Sequence, residues 1–383
     1  MLPEGGIGRR AAVGGVAVGM AAGWNIAALG AVATRLSVAY GIALATVGLF
    51  TTVQFAVHAA MQIPGGRAAD RWGARRSCAV GLALITLGNA VALPSPTPAL
   101  GFLGRAIVGL GTGFAFVGGS DYIRSTGGGS ALAPVLQGVY GGGSVLAPGV
   151  ALAVVPAVAT VAGFRAPYLT AIAIAAVAAV ALALAPTAPR TVRHAGERLD
   201  RTLLRDRALL RLAVIHCASF GFSVIVGAWV VTLLERHGQP KSIAAAVGSL
   251  TLLLGFFTRT AGGALLRRRD ARRWVAGSLV AGGTAGIVLA LPVPLAVLAV
   301  AAAVLGLSAG VPFAAAFTGA ARVRPEAPGA AVGYVNGWAS LTILIGTPLV
   351  GLTFSLPGDG RIGFVILGVL AALASLATPR LAR

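Results

Sequence analysis

Long, unbroken apolar runs are the feature that most restricts how this chain can fold. Residues 169–185 read LTAIAIAAVAAVALALA, and Thr170 is their only polar side chain. Runs of about 20 apolar residues match the hydrocarbon core of a bilayer. A run that is apolar on every side satisfies its backbone only as a helix, because the strands of a barrel alternate polar and apolar residues. Since 57% of the chain is hydrophobic, we predict an all-α integral membrane protein.

Charged and Pro/Gly-rich stretches divide the chain into successive apolar segments. Their number predicts twelve transmembrane helices. The segments span residues 11–34, 40–63, 77–95, 99–120, 130–159, 166–186, 209–233, 242–265, 274–293, 295–320, 328–352 and 361–378.

The net charge of +20 comes mainly from arginines, and their positions along the chain account for it. Most of them fall in alternate connections between apolar segments, and cationic connections stay on the cytoplasmic side. We therefore expect cytoplasmic N- and C-termini in a multi-pass protein, together with contacts to anionic lipid headgroups. No basic stretch is interleaved with aromatic residues, so no nucleic-acid partner is expected. The Arg-, Ala- and Gly-rich composition suggests a bacterial protein of the inner (plasma) membrane.

One polar connection, TAPRTVRHAGERLDRTLLRDR at 187–207, divides the chain into halves of six segments each. We predict an N-terminal six-helix bundle at 1–186, a cytoplasmic linker at 187–208 and a C-terminal six-helix bundle at 209–383. A solvated linker is the preferred interpretation of the connection. The alternative is a short amphipathic helix at 198–207 on the inner leaflet.

The two halves carry related motifs. The stretch GGRAADRWGARRS at 65–77 follows the second segment, and GGALLRRRDARRW at 262–274 occupies the matching place in the second half, 197 residues later. A second pair links QGVYGGGS at 137–144 with VGYVNGWAS at 332–340. The chain therefore reads as an internal duplication with pseudo-symmetric halves.

The first motif resembles the signature of the major facilitator superfamily, and the resemblance covers essentially the whole chain. It implies that this cluster latches the two halves on the cytoplasmic side of an outward-facing transporter. Glycine permits close helix approach and tight turns, and an aspartate can meet an arginine or a helix N-terminus. A purely topological role for the arginines is the alternative, and the second copy, with Arg267 in place of the acid, fits that role. The gating candidates are Gly66, Asp70, Arg71, Gly73, Arg75 and Arg76.

Two arginines lie inside apolar segments, where a charge is costly and therefore a functional candidate. Arg105 resembles the arginine of the family's fourth-helix motif, which is linked to proton coupling. Arg259 in the eighth segment corresponds to Gln62 in the first half. Nitrate and nitrite porters of the superfamily carry arginine at both positions, so the resemblance to them is partial. Alternatively, Arg259 extends to the cytoplasmic surface.

His58 and His216 also lie within apolar segments, whereas every Asp and Glu lies at a segment end or in a connection. A buried-carboxylate proton site is therefore disfavoured. Each histidine is a coupling candidate or a neutral packing residue. By the family's template, further residues in helices that line the cavity or the interface of the halves are substrate candidates or packing residues. They are Trp24, Asn25, Tyr140, Asn336 and Trp338.

The resemblance implies a secondary active transporter working by alternating access. Export of a small organic compound or drug is preferred, because Gly143, Ala147 and Pro148 partly match the fifth-helix motif of antiporters. Uptake or exchange of a small anion such as nitrate or nitrite is the alternative, and a non-transporting receptor or scaffold belongs to another class. We expect a small-molecule substrate, with protons or a counter-transported ion as possible partners. No nucleotide loop, metal-ligand spacing or catalytic triad is present, so no enzyme activity, cofactor or metal is expected.

Overall fold

The computed structural model describes residues 6–127, 133–188, 201–266 and 271–378, which form helices and connections without a strand. The helices are α1 (Gly6–Ala27), α2 (Ala33–Tyr40), α3 (Leu44–Ala60), α4 (Gln62–Trp72), α5 (Ala74–Val91), α6 (Pro98–Thr126), α7 (Ala133–Ala162), α8 (Ala166–Leu184), α9 (Arg201–Arg205), α10 (Arg207–His216), α11 (Phe222–Arg236), α12 (Lys241–Leu265), α13 (Ala271–Leu289), α14 (Leu295–Val323), α15 (Pro328–Leu352) and α16 (Arg361–Ala374).

Each of the twelve predicted segments coincides with one helix or with a succession of helices in the described residues. The first segment is longer than predicted, because α2 extends it to Tyr40, where Gly41 in the left-handed region (φ 63°) ends the helix. The second is divided at Met61 into α3 and α4. Pro64 explains the division, since it has no N–H to donate to the carbonyl of Ala60.

The seventh predicted segment is also interrupted. Between α10 and α11 the chain makes a π-helical segment at Cys217–Gly221. Such wide turns inside helices often mark functional sites. Asp206 caps the start of α10, where its carboxylate accepts from the N–H groups of Ala208 (2.9 Å) and Leu209 (3.2 Å).

Seven helical stretches of the described residues are long and apolar enough to cross a membrane, and Thr46–Ala60 and Arg361–Ala377 are shorter apolar helices. The seven are Gly8–Tyr40, Pro98–Thr126, Pro134–Leu184, Arg207–Arg236, Ser242–Leu265, Leu295–Val323 and Pro328–Ser355.

Small residues set the helix packing. A Cβ on Gly88 of α5 would lie 2.5 Å from the carbonyl oxygen of Gly104 in α6, and a Cβ on Gly104 would lie equally close to the carbonyl oxygen of Gly88. Gly283 of α13 and Gly368 of α16 approach each other in the same way. Only glycine allows backbones to pack at this distance, a common device where lipid supplies no hydrophobic driving force.

The chain folds into two compact units, and each takes a short segment from the other half of the sequence. Unit 1 comprises Met1–Leu136, Gly143–Arg198 and Arg324–Gly333. Unit 2 comprises Gln137–Gly142, Leu199–Val323 and Tyr334–Arg383. Because the unit boundaries fall inside them, the helices α7 and α15 contribute to both units. The predicted bundle boundaries stay a prediction, since most of the predicted linker, residues 189–200, lies outside the described residues.

Candidate functional site

The carboxylate of Asp70 caps the N-terminus of α15 within unit 1. Its two oxygens accept from the backbone N–H groups of Gly329 and Ala330, both at 2.9 Å. α15 begins at Pro328, so these N–H groups belong to the first turn and have no partner inside the helix. The negative charge also meets the positive end of the helix dipole. The gating role of Asp70 stays a prediction.

Both motif glycines occupy positions that exclude a side chain. A Cβ on Gly66 would overlap the backbone carbonyl of Gly329, and a Cβ on Gly329 would lie 2.5 Å from the carbonyl oxygen of Gly66. Gly73 has φ 88° and separates α4 from α5. The motif therefore brings α4 against the start of α15 and then turns the chain sharply.

The motif arginines lie in different surroundings. Arg75 donates to the carbonyl of Ala183 (2.8 Å) and to the hydroxyl of Thr187 (3.1 Å), whereas Arg71 and Arg76 are exposed. Arg75 thus fastens the start of α5 to the end of α8. Residues 267–270 of the second motif copy lie outside the described residues.

Arg105 lies in a buried polar cluster of unit 1 with Asn25 and Asn89. Its Nη2 donates to the backbone carbonyl of Asn25 (2.8 Å), and Asn89 Nδ2 donates to Asn25 Oδ1 (3.0 Å). Arg105 is 1% exposed, and its Nε and Nη1 have no hydrogen-bond partner among the described residues. Trp24 lies in the same unit, in an apolar core where its indole donates to Thr170 (3.2 Å). The cluster therefore holds a cation with unused donors.

Removing the Asn89 amide tests how much this cluster stabilises the fold. Asn89→Ala is expected to lower the free energy of unfolding by about 0.5–2 kcal/mol, because it leaves the buried Asn25 Oδ1 without its donor. Thermal unfolding in detergent measures the change. Thr52→Ala is the control, since the Thr52 hydroxyl lies at the exposed surface of α3. Equal unfolding temperatures for both variants would show that the amide contributes nothing.

His58 is fully hydrogen-bonded in unit 1. Its Nε2 lies 2.8 Å from Gln62 Nε2, and its Nδ1 lies 3.0 Å from the Thr112 hydroxyl. An amide nitrogen only donates, so Nε2 accepts and Nδ1 carries the hydrogen that is donated to Thr112. Thr112 in turn donates to the carbonyl of Gly109 (3.1 Å). This arrangement favours a neutral, structural histidine.

Arg259 lies inside an aromatic cluster of unit 2. Its guanidinium carbon lies 4.8 Å from the ring centre of Phe313 and 5.1 Å from that of Phe220. Nη1 donates to the carbonyl of Gly141 (2.9 Å), while Nε has no partner among the described residues. The side chain is 2% exposed, so the alternative that it extends to the surface is wrong.

His216 belongs to the same cluster. The centre of its ring lies 5.3 Å from the ring centre of Phe220, 5.6 Å from that of Phe313 and 4.9 Å from that of Phe317. Nε2 lies 3.1 Å from Asn336 Oδ1, and Nδ1 has no partner among the described residues. Unit 2 thus brings together three of the residues singled out in the sequence: His216, Arg259 and Asn336.

The two remaining aromatic candidates differ in their surroundings. Tyr140 is fully buried beside Gly141, whose carbonyl receives Arg259. Trp338 is 44% exposed, and its ring centre lies 6.4 Å from that of Tyr334. Tyr140 therefore lies next to the Arg259 cluster, whereas Trp338 lies partly exposed beside Tyr334.

Several residues of these clusters escaped the sequence analysis. Asn89 left a signal, since it is a polar residue inside an apolar segment. Phe220 and Phe313 left none, because phenylalanine is common in any membrane helix and their approach to Arg259 is set by packing between helices. The backbone carbonyl of Gly141 likewise carries no side-chain signal.

The sequence profile of the Major Facilitator Superfamily matches residues 14–323 of the chain. The chain belongs to the Major Facilitator Superfamily. Members are transporters and not enzymes, so this is a multi-pass membrane transporter of small molecules. Its fold is all-α, with twelve transmembrane helices in two pseudo-symmetric six-helix bundles. A search of curated proteins finds no match.

Solved structures of transporters in this superfamily have the same fold. The E. coli fucose:proton symporter FucP matches with a TM-score of 0.75 and 14% identity, covering 97% of each chain. The human organic anion transporter MFSD10 matches with a TM-score of 0.75 and 16% identity, covering 97% of this chain and 99% of that chain. The proton:xylose symporter XylE matches with a TM-score of 0.75 and 13% identity, covering 97% of this chain and 94% of that chain. At such identities the likeness establishes the fold alone.

Proposed function

We propose that this Major Facilitator Superfamily transporter moves a small organic anion that binds at Arg259. The observation that carries the proposal is the guanidinium of Arg259. It is 2% exposed, lies within 5.1 Å of the centres of two phenyl rings, and its Nε has no hydrogen-bond partner among the described residues. A buried cation with an unused donor is expensive unless a ligand supplies the opposite charge. An anion is the ligand that fits it.

The surroundings of both buried arginines favour an anion over a neutral compound. Within the described residues, the carboxylates of Asp121, Glu326 and Asp359 pair with other arginines, and none pairs with Arg105 or Arg259. Each unit therefore contains a buried cation with no carboxylate partner in the part of the chain that the structure describes. Membrane proteins keep such residues where a substrate or an ion uses them.

The aromatic neighbours of Arg259 favour an anion that has an apolar part. Phe220 and Phe313 both contact the guanidinium, and the ring centre of Phe317 lies 4.5 Å from that of Phe313. The matching position of the first half holds Gln62, whose side-chain amide donates to the ring and to the backbone carbonyl of His58. A two-arginine clamp for nitrate is thus incomplete. The geometry favours the anion alternative over the export of a small organic compound or drug, which the sequence favoured.

Thermal unfolding of the detergent-purified protein with benzoate, acetate and nitrate tests the proposal. A ligand at 100 times its Kd stabilises a protein by about 2.7 kcal/mol. Benzoate, with a carboxylate for Arg259 and a ring for the phenylalanines, is expected to stabilise the wild type most. Arg259→Gln removes the charge and keeps a polar side chain, so it is expected to abolish the stabilisation.

Arg165→Gln is the matched control. Arg165 also lies over a phenyl ring, 4.8 Å from Phe164, and donates to a backbone carbonyl, that of Leu93 (3.0 Å), but it is exposed. This variant is expected to bind benzoate like the wild type. The proposal fails if none of the three anions stabilises the wild type, or if Arg259→Gln responds as strongly as the wild type does.

Export of a small organic compound or drug is the second candidate, and one observation in unit 1 favours it. α7 contains Pro148, and a Cβ on Gly23 of α1 would overlap the carbonyl of Ser144 and lie 3.3 Å from Pro148 Cδ. This close, proline-containing contact fits the partial antiporter motif. Stabilisation by tetraphenylphosphonium that survives in both Arg259→Gln and Arg105→Gln would favour this candidate.

The proposed setting is the bacterial inner membrane, with both termini and the linker in the cytoplasm. The support is the distribution of arginines, which are concentrated in alternate connections and at both ends of the chain. Bundles at 1–186 and 209–383, joined by 187–208, complete the proposed organisation.

A further inference from the structure

We infer that protonation of His216 is linked to anion binding at Arg259, so that the transporter carries a proton together with its anion. The inference rests on the proposed function, because it assigns a coupling residue to the same cluster. It follows from three features of unit 2, which are the shared aromatic rings, the hydrogen bond of His216 and the charges around it.

The imidazole of His216 and the guanidinium of Arg259 share two aromatic neighbours. Phe220 and Phe313 lie 5.3 Å and 5.6 Å from the imidazole, and the guanidinium lies 5.1 Å and 4.8 Å from the same rings. His216 is 0% exposed and Arg259 is 2% exposed. Because little solvent separates them, a charge on one acts on the other with little screening.

The hydrogen bond of His216 leaves one nitrogen ready for a proton. Its Nε2 lies 3.1 Å from Asn336 Oδ1, and an amide oxygen only accepts, so Nε2 carries the hydrogen of the neutral ring. Nδ1 then holds a lone pair, and it has no partner among the described residues. His58 differs, since both of its ring nitrogens are engaged.

The charges around His216 make its protonation depend on the anion. Of the elements packed against it, α12 contributes the guanidinium of Arg259, α14 contributes phenyl rings and α15 contributes the Asn336 amide. The segment Ser375–Ala377 has no ionisable side chain, and the adjacent Cys217 thiol accepts from Thr342 (3.3 Å). No carboxylate faces the imidazole in the described part of the chain.

A proton on His216 places a second positive charge beside Arg259, which is unfavourable while the guanidinium is unpaired. A bound anion neutralises Arg259 and removes that penalty, so proton and anion bind more strongly together than separately. This linkage is reciprocal. The proton moves from bulk water to Nδ1 when the anion binds and leaves after the anion dissociates.

Proton uptake on anion binding tests the inference with the full-length protein in weakly buffered detergent, read with a pH-indicator dye. The probes are benzoate, acetate and nitrate. The wild type is expected to take up a proton when the anion binds, and to take up more as the pH is lowered from about 7, because burial and Arg259 both disfavour a charged imidazole in the free site. The Kd of the wild type for the anion is expected to rise with pH, by at most about tenfold per pH unit. His216→Gln is expected to bind the anion without proton uptake, and His237→Gln, in a connection, is expected to match the wild type.

The outcomes separate the two proposals. An anion that binds the wild type without proton uptake would overturn the coupling role and leave the proposed function standing. Wild-type uptake that persists in His216→Gln would also overturn the coupling role. Absence of binding by all three anions would overturn the proposed function, and this inference with it. The wild-type measurement needs no variant, so it decides the matter even if His216→Gln does not fold.

Discussion

Asp70→Asn is expected to expose the start of α15 and to reduce transport by at least about tenfold. The asparagine keeps one acceptor but loses the negative charge and one of the two hydrogen bonds to Gly329 and Ala330. Charge-assisted hydrogen bonds and an anion at a helix N-terminus each contribute about 1–2 kcal/mol. A net loss of about 2 kcal/mol opens the contact about 30 times more often.

Hydrogen–deuterium exchange of the peptide that covers the start of α15 measures this directly, without knowledge of the substrate. Faster exchange is expected at Gly329 and Ala330 in Asp70→Asn. Asp359→Asn is the control, because Asp359 forms an exposed ion pair with Arg236 (3.4 Å). Unchanged exchange in Asp70→Asn would mean that the carboxylate does not hold α15, and the proposed gating role would then lose its physical basis.

The sequence predicted the helical segments well because bilayer crossing imposes a length and a polarity that single residues cannot override. It also singled out Asp70, which stands between Gly66 at a close helix approach and Gly73 at a turn. The breaks within segments were not predicted. The π-helical segment at Cys217–Gly221 has no breaker that distinguishes it, and the division at Met61 depends on one proline inside an apolar run.

The candidate sites were predictable only in part, for a similar physical reason. A buried charge such as Arg259 is easy to recognise in an apolar segment, because a charge there is costly and is therefore a candidate functional residue. Its partners are Phe220, Phe313 and a backbone carbonyl, which come from different helices and look ordinary in sequence. Long-range packing decides which phenylalanines surround the guanidinium, and no local pattern in the sequence reveals that choice.

The segments Gln137–Gly142 and Arg324–Gly333, each of which belongs to the unit formed mainly by the other half of the sequence, make matching contacts. Gly138 of α7 packs against the backbone carbonyl of Arg259 in unit 2, and Gly333 of α15 packs against that of Gln62 in unit 1. Arg259 and Gln62 are the matching positions of the two halves. Both units therefore contain the same glycine-to-carbonyl contact, although the side chain at the matching position is a cation in one half and an amide in the other.

Gly138→Ala is expected to lower the free energy of unfolding by about 1–3 kcal/mol and to weaken anion binding. A Cβ at this position would overlap the Arg259 carbonyl and lie 3.1 Å from the Cα of Thr260, and backbone atoms cannot yield as a flexible side chain does. The displaced α7 would also draw the Gly141 carbonyl away from Arg259 Nη1. Thermal unfolding with and without benzoate measures both effects.

Gly149→Ala provides the control on the same helix. A Cβ on Gly149 meets nothing within 4 Å, and alanine is favoured over glycine inside a helix by up to about 1 kcal/mol. This variant is therefore expected to unfold at the wild-type temperature or above it. If Gly138→Ala unfolds like Gly149→Ala, then α7 has room to move at Arg259. The guanidinium would not need the Gly141 carbonyl at its observed distance, and the anion site would be looser than its geometry indicates.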